Sequence, residues 1–226
     1  MTDIERHGSV AVCLAGMLMQ YQRNRHMLFD WMHPGWRGGA LAALPNADSP
    51  GTRVLLARAA DAWLRAAGCA PPPLAVFRGS AATLAALPVN DALSALRLRA
   101  LHFRRAELRY WVDRESRDRV SVWLGRNASV ALRWLIETSN PPAVDRLMRD
   151  YGMAPLDDLD DMSLAWEGYC LFTCSGQGAP LDLLRFAWDD AAAAPHWLLA
   201  HGPASHEEDG AEVIGRLPEF FQEQVW

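Results

Sequence analysis

The residues best equipped for chemistry are histidines, cysteines and carboxylates, and their spacing disfavours each obvious use. His196, His201 and His206 recur every five residues. Metal ligands sharing a helix face stand three or four apart; a spacing of five turns the rings onto different faces, and Gly202-Pro203 breaks any helix there. His26 and His33 are no better placed, and neither HExxH nor CxxC occurs. Cys170 and Cys174 would share one helix face, but with apolar Leu171 and Phe172 between them they read as buried structural thiols. Nucleophilic catalysis finds no GxSxG elbow, and nucleotide binding finds no Walker loop and no GxGxxG. The run Asp157 to Asp161 lacks the glycine and bidentate glutamate of a calcium loop and suits a solvated helix start. The expectation is no catalytic residue, no cofactor and no metal.

The most conspicuous stretch is LRLRALHFRRAELRYWVDRESRDRV, Leu96 to Val120. Arginines interleaved with Phe103, Tyr110 and Trp111 suit nucleic acid. The net charge of −5 speaks against it. Arg97, Arg104 and Arg105 fall on one side of a helix, and Arg109 follows one turn later. Two protein-level uses remain open. The arginines could pair within the chain, with Asp113, Glu115 and Asp118 at hand, or face a partner protein, since interfaces are rich in Arg, Trp and Tyr.

All 22 basic residues are arginine, so every cation is a planar, permanently charged fork suited to carboxylates. Residues 97–133 carry 10 arginines and 4 acids, whereas residues 134–226 carry 4 arginines and 17 acids. A basic middle and an acidic C-terminal portion could attract each other, or face two partners. The N-terminus does not resemble a secretory signal, and the apolar run Val10 to Met19 is too short to span a bilayer. This predicts a cytoplasmic protein with reduced thiols and no membrane insertion.

The elements that must hold these residues are predominantly helical. A first helix is expected from Val10 to Phe29, apolar nearly all round in its upper half and therefore buried, and ended by His33-Pro34. A second runs from Arg53 to Ala67, with Leu56, Ala60, Trp63 and Leu64 inward and Gly68 at its C-terminal stop. CAPPPL is a stiff connector, and a short extended segment is expected near residues 74–78. Ala81 to Leu87 is a short helix. The longest is expected to run from Asn90 or Asp91 to Val112. Ser116 to Leu124 follows, and the next helix, capped by Asn127, carries Val130, Ala131, Trp134 and Leu135 inward.

Another helix runs from Ala143 to Gly152. The next presents Leu159, Met162, Trp166, Tyr169, Cys170 and Thr173 at helical spacing. Leu181 to Trp188 and Ala211 to Phe221 are further helical segments around a solvated loop, GPASHEEDG. The fold class is mainly α, a single multi-helix domain over residues 1–226. It subdivides into 1–78, an Arg-rich core at 79–139 and an acidic 140–226. Most of the ten tryptophans lie on inward stripes; Trp36 and Trp226 do not, and an aromatic off the core pattern is a candidate partner anchor.

Two stretches together resemble a known family. MHPGWRGGAL is similar to the N-terminal HPSWL-like signature of the SctK-type proteins of bacterial type III secretion systems. The block from Leu84 to Gly125 resembles that family's central region at Leu87-Pro88, Leu93, Leu96, Leu101, Arg105, Val112, Val120, Leu124 and Gly125. The resemblance covers residues 29–125 and is closest to the Hrp-type systems. Arg37-Gly38 departs from the usual Leu-Pro, and Leu101-His102-Phe103 stands where a mid-helix glycine is usual.

The resemblance implies a non-enzymatic adaptor of the cytoplasmic sorting platform, peripheral at the inner-membrane base of the apparatus. It would bridge an SctD-like ring protein and an SctQ-like pod protein. The alternative is a secretion chaperone or regulatory binding protein. Candidate partner-binding residues are His33, Pro34, Trp36, Arg97, Arg104, Arg105 and Arg109. FDWMHPGWRGG, Phe29 to Gly39, is expected to form a structural clip, with Trp31 packed under the first helix, His33 hydrogen-bonded, and Trp36 either plugging the core or anchoring a partner.

Overall fold

The computed structural model describes residues 3–37, 50–111, 113–125, 128–139, 142–174, 180–201 and 204–221. Among these, every regular element is helical and no strand occurs. The contacts define two compact units, grouped otherwise than the three sequence portions: Met1–Val89 with Ala179–Ala192 and Val225–Trp226, and Asn90–Gly178 with Ala193–Gln224.

In the first unit, α1 runs Asp3–His26 and α2 Leu28–Trp31, separated by Met27 at φ −93°, ψ 16°. Met32 and His33 are extended, as the residue before a proline must be, and Pro34 opens a 3₁₀ turn, Pro34–Trp36. The apolar upper half of α1 is not buried as expected: no residue from 11 to 20 is, and Val12 and Met19 are 66% and 73% exposed. Apolarity all round fixes no inward face, so tertiary contacts chose one farther along, where Tyr21, Asn24 and Arg25 are buried.

Helix α3, Pro50–Ala66, starts earlier than expected because Pro50 takes the first helical position, where its missing N–H costs nothing. Ala60 and Leu64 point fully inward. The extended segment expected near 74–78 is instead a 3₁₀ helix, Leu74–Arg78. The polyproline geometry ends at Pro73, and Val76 N–H turns back to the Pro73 carbonyl at 3.0 Å. That turn brings buried Phe77 edge-on to Tyr21, centroids 5.1 Å apart. Helix α4, Ser80–Ala85, is a small-residue element whose Ala82 and Leu84 are fully buried. Asn24 donates to the Leu87 carbonyl at 2.7 Å, satisfying backbone just beyond α4.

The second unit is built on α5, Val89–Phe103, buried on every side from Leu96 onward. The single long helix expected here breaks at Arg104 (φ −87°, ψ 14°), and α6 resumes at Arg105–Leu108. Helix α7, Arg114–Leu124, is capped by Asp113, whose carboxylate accepts from Ser116 N–H at 2.9 Å, and turns Val120, Trp123 and Leu124 inward as the spacing predicts. In α8, Ala128–Glu137, the inward residues are Ala131, Trp134 and Leu135; Val130, expected with them, is 51% exposed. The expected Asn127 cap lies outside the described residues.

Helix α9, Val144–Tyr151, ends at Gly152 in the left-handed conformation, φ 66°. Helix α10, Asp161–Cys174, buries Tyr169 and Cys170 of the expected stripe together with Leu164, Ala165, Gly168 and Leu171, whereas Leu159, Met162, Trp166 and Thr173 are only half-buried. The reason is a backbone approach: a Cβ on Gly168 would sit 1.9 Å from the Leu96 carbonyl oxygen of α5, so only glycine fits at the crossing. Helices α11, His196–His201, and α12, Ala204–Phe220, follow. The expected solvated loop is therefore helical from Ala204.

Candidate partner-binding site

Three of the four singled-out arginines are inside the second unit. Arg97 donates through Nη2 to Asp161 Oδ2 and through Nε to the Asp161 carbonyl, both at 3.0 Å, and through Nη1 to the Trp123 carbonyl at 3.2 Å. Arg104, with no exposed surface, makes a two-point contact with Glu167 at 2.7 Å on both arms. Its Nη1 also reaches Glu107 Oε1 at 2.8 Å and the Ala154 carbonyl at 2.9 Å. Burial alone would lower its pKa, but the hydrogen bonds and charges of Glu167 and Glu107 hold it above the usual arginine value. Arg105 donates to the His102 carbonyl at 2.7 Å and the Ser139 carbonyl at 3.1 Å. Arg109 alone is exposed, with Nη2 on the Thr138 carbonyl at 3.0 Å.

Of the two uses left open for Arg97, Arg104 and Arg105, the contacts within the unit are of the intramolecular kind. A buried guanidinium whose Nη arms lie on internal acceptors, as in all three, has little surface to offer a partner. Its anions are not the nearby Asp113, Glu115 and Asp118. Apart from Glu107, which Arg104 meets one turn on, they come from the acidic C-terminal portion, at Asp161 and Glu167, with Asp157 3.6 Å from Arg119. The charge asymmetry signalled this pairing, but sequence distance hid the partners.

Among the described residues, one cluster could hold a metal ion: His102 of α5 with Asp209 and Glu212 of α12. The imidazole is buried, stacks on Trp134 at 4.9 Å, and lies 3.4 Å from Glu212 and 3.8 Å from Asp209. Those carboxylates would favour the imidazolium. Burial first, then Arg105 and Arg99, prevail and push its pKa down to about 3, so the ring is neutral at pH 7. Arg99, fully buried against the Phe172 ring, is itself lowered to about 10 by burial. Two guanidinium charges bearing on the imidazole oppose a dication there.

The remaining chemical candidates are engaged structurally. Asp160 caps α10 through Ser163 N–H at 2.6 Å, and Asp161 holds Arg97. Burial pushes the Cys170 thiol up to about 12 and raises Cys69 and Cys174 as well, away from thiolate reactivity. Cys174, expected to be buried with Cys170, is exposed at the end of α10. The side chains of His201 and His206, the SGQGA loop and Trp226 lie outside the described residues.

In the first unit the FDWMHPGWR stretch forms a hydrogen-bonded clip. Trp31 Nε1 donates to the Asn24 carbonyl of α1 at 3.0 Å, and Arg37 Nη2 to the Phe29 carbonyl at 2.8 Å. His33 N–H donates to the Phe186 carbonyl at 2.8 Å, while its Nδ1 accepts from Gly35 N–H at 3.1 Å. Trp36 packs in an aromatic cluster: its indole N–H donates to the Trp188 carbonyl, and its ring stands edge-on to Trp63 and Phe186 at 6.0 and 5.1 Å. The Arg185 guanidinium covers it at 5.3 Å. Pro34 is exposed at the turn, and Gly38 and Gly39 lie outside the described residues.

Beside this clip, the end of α1, α2 and α3 enclose an open groove of about 740 Å³. Arg23, His26 and Met27 line one wall, and Arg53, Val54 and Arg58 the other, with Phe29 between. Two acids also line it, Asp30 and Asp61, and Asp61 is held by Arg25 at 3.2 Å and faces His26 at 3.5 Å. Met27 and Val54 are 44% and 54% exposed. Sequence reasoning missed this groove; the one available signal was the spacing Val12, Met19, Arg23, Met27, which marks the outward stripe of α1 rather than a buried one.

Comparison with known proteins places the chain beside one family. The family model described as "HrpB4: Bacterial type III secretion protein (HrpB4)" matches residues 11–223. No curated protein and no solved structure matches the chain.

Proposed function

The chain belongs to the HrpB4 family of bacterial type III secretion proteins, and from that premise we propose that it is a non-enzymatic assembly adaptor of the secretion apparatus. In this reading it occupies the SctK-like position of the cytoplasmic sorting platform. It links the cytoplasmic domain of an SctD-like inner-membrane ring protein to SctQ-like pods, and it is peripheral at the membrane base.

The observation that carries the reading is the family match over nearly the whole chain, residues 11–223. The site chemistry supports it. The conspicuous arginines serve as internal struts, the thiols of Cys69, Cys170 and Cys174 are pushed away from reactivity, and the outward-facing assets are apolar side chains and arginines of the kind that recognise protein. No helix among the described residues is long and apolar enough to cross a membrane, as an adaptor peripheral to it requires.

Affinity purification of the tagged protein from cells assembling the apparatus, with mass spectrometry of what accompanies it, tests the proposal. Recovery of a ring-forming membrane protein together with a pod protein is the expected result. Recovery of secreted substrates alone replaces it with the chaperone reading, and recovery of no apparatus protein refutes it.

A further inference from the structure

The geometry points to the groove between α1, α2 and α3 as the docking site for an acidic amphipathic helix of a partner protein. This deepens the adaptor reading and rests on it. Size fits the occupant. Two helical turns are about 11 Å long and 10–12 Å across, on the order of 1,000 Å³, so a groove of about 740 Å³ takes most of such a segment with one face left to solvent.

Charge complementarity selects the chemistry. Arg23 and Arg58 line the walls while Asp61 is engaged by Arg25, so the groove presents cations beside exposed apolar side chains. A helix with Leu or Phe at positions three and four apart would seat those side chains against Met27, Phe29 and Val54, and flanking Glu or Asp would meet the arginine forks. Val54, Ala57, Arg58 and Asp61 fall on one stripe of α3, so that wall offers apolar and charged groups side by side, and Arg23 of α1 shares its helix stripe with Val12 and Met19. The stripe of α1 also continues the exposed apolar surface beyond the groove, through Met19 to Val12.

The test uses the full-length protein with photoreactive benzoylphenylalanine replacing Val54, expressed in cells that build the apparatus, and sequences the cross-linked peptide. The expected peptide comes from another protein of the apparatus and carries apolar residues at three-and-four spacing among acids. Synthesised, it binds the purified chain, and binds roughly tenfold more weakly to Arg23→Glu/Arg58→Glu and at raised salt. Both arginines are exposed, so the fold is not at stake; Arg58→Ala, with a several-fold loss, provides a second reading.

A cross-link to a second copy of this chain, to a segment without acids or helical spacing, or a peptide indifferent to both variants overturns the proposal. No cross-link at Val54 while apparatus proteins still co-purify overturns it and leaves the adaptor reading standing. Loss of both overturns both.

Discussion

Glu167→Gln isolates the electrostatic role of the buried arginine network, because the two side chains are nearly isosteric. In the wild type, Arg104 has no exposed surface and Glu167 is 6% exposed, and the carboxylate receives both Nε and Nη2 at 2.7 Å. The amide keeps one acceptor but turns an N–H donor toward the guanidinium and removes the counter-charge. Breaking one side of a buried pair costs roughly 3–5 kcal/mol. Glu107 remains at 2.8 Å from Nη1, so the lower end, about 3 kcal/mol, is expected. At ~3 °C per kcal/mol for a chain of this size, the melting midpoint falls by about 10 °C.

Urea and thermal unfolding followed by tryptophan fluorescence measure this; Trp123, Trp134 and Trp197 are buried in the same unit and report its transition. The companion is Arg104→Met/Glu167→Leu in a Glu107→Gln background, which removes the charges of the pair without stranding the Glu107 carboxylate, the amide oxygen at that position still being able to accept from Leu156 N–H. It should recover most of the loss, because the desolvation penalty leaves with the pair. A Glu167→Gln protein within 1 kcal/mol of wild type, estimated as the error of such comparisons, or a companion variant no better than the single, would refute the argument that this pair is desolvated and mutually dependent.

Protonation of His102 gives a pH signature. Its folded pKa is pushed down to about 3 from 6.5, so its contribution is complete above pH 6.5 and is lost as pH falls toward 3, at up to ~1.4 kcal/mol per pH unit. The stability difference between wild type and His102→Gln should therefore shrink between pH 6.5 and 5; parallel profiles in urea unfolding would contradict it. Gly168→Ala should cost roughly 3 kcal/mol or more, since its Cβ meets the Leu96 backbone carbonyl rather than a movable side chain, and loss of near-ultraviolet circular dichroism reads this out. Trp36→Ala should cost roughly 2–4 kcal/mol by emptying the space between Trp63 and Phe186. A variant that instead melts like wild type but loses an apparatus partner in pull-down would make Trp36 an anchor and not a plug.

The sequence by itself determined the helical class, because helical periodicity and stop signals are local. Pro34 ends one helical run, Asp113 caps α7, and the left-handed glycines 68, 125 and 152 stand where helices end, each legible within a few residues. It also determined that the basic middle had acids to meet in the C-terminal portion. What it could not assign was direction. The apolar upper half of α1 has no polar face to declare which side turns outward, and α10 turned inward on the Gly168 side because of a backbone crossing with α5 that no periodicity encodes. Arg104 could not be assigned between a partner and the chain's own acids until Glu167, 63 residues away, was brought to it. Ion pairs and grooves are made by distances between elements, and those distances are fixed only when the elements pack.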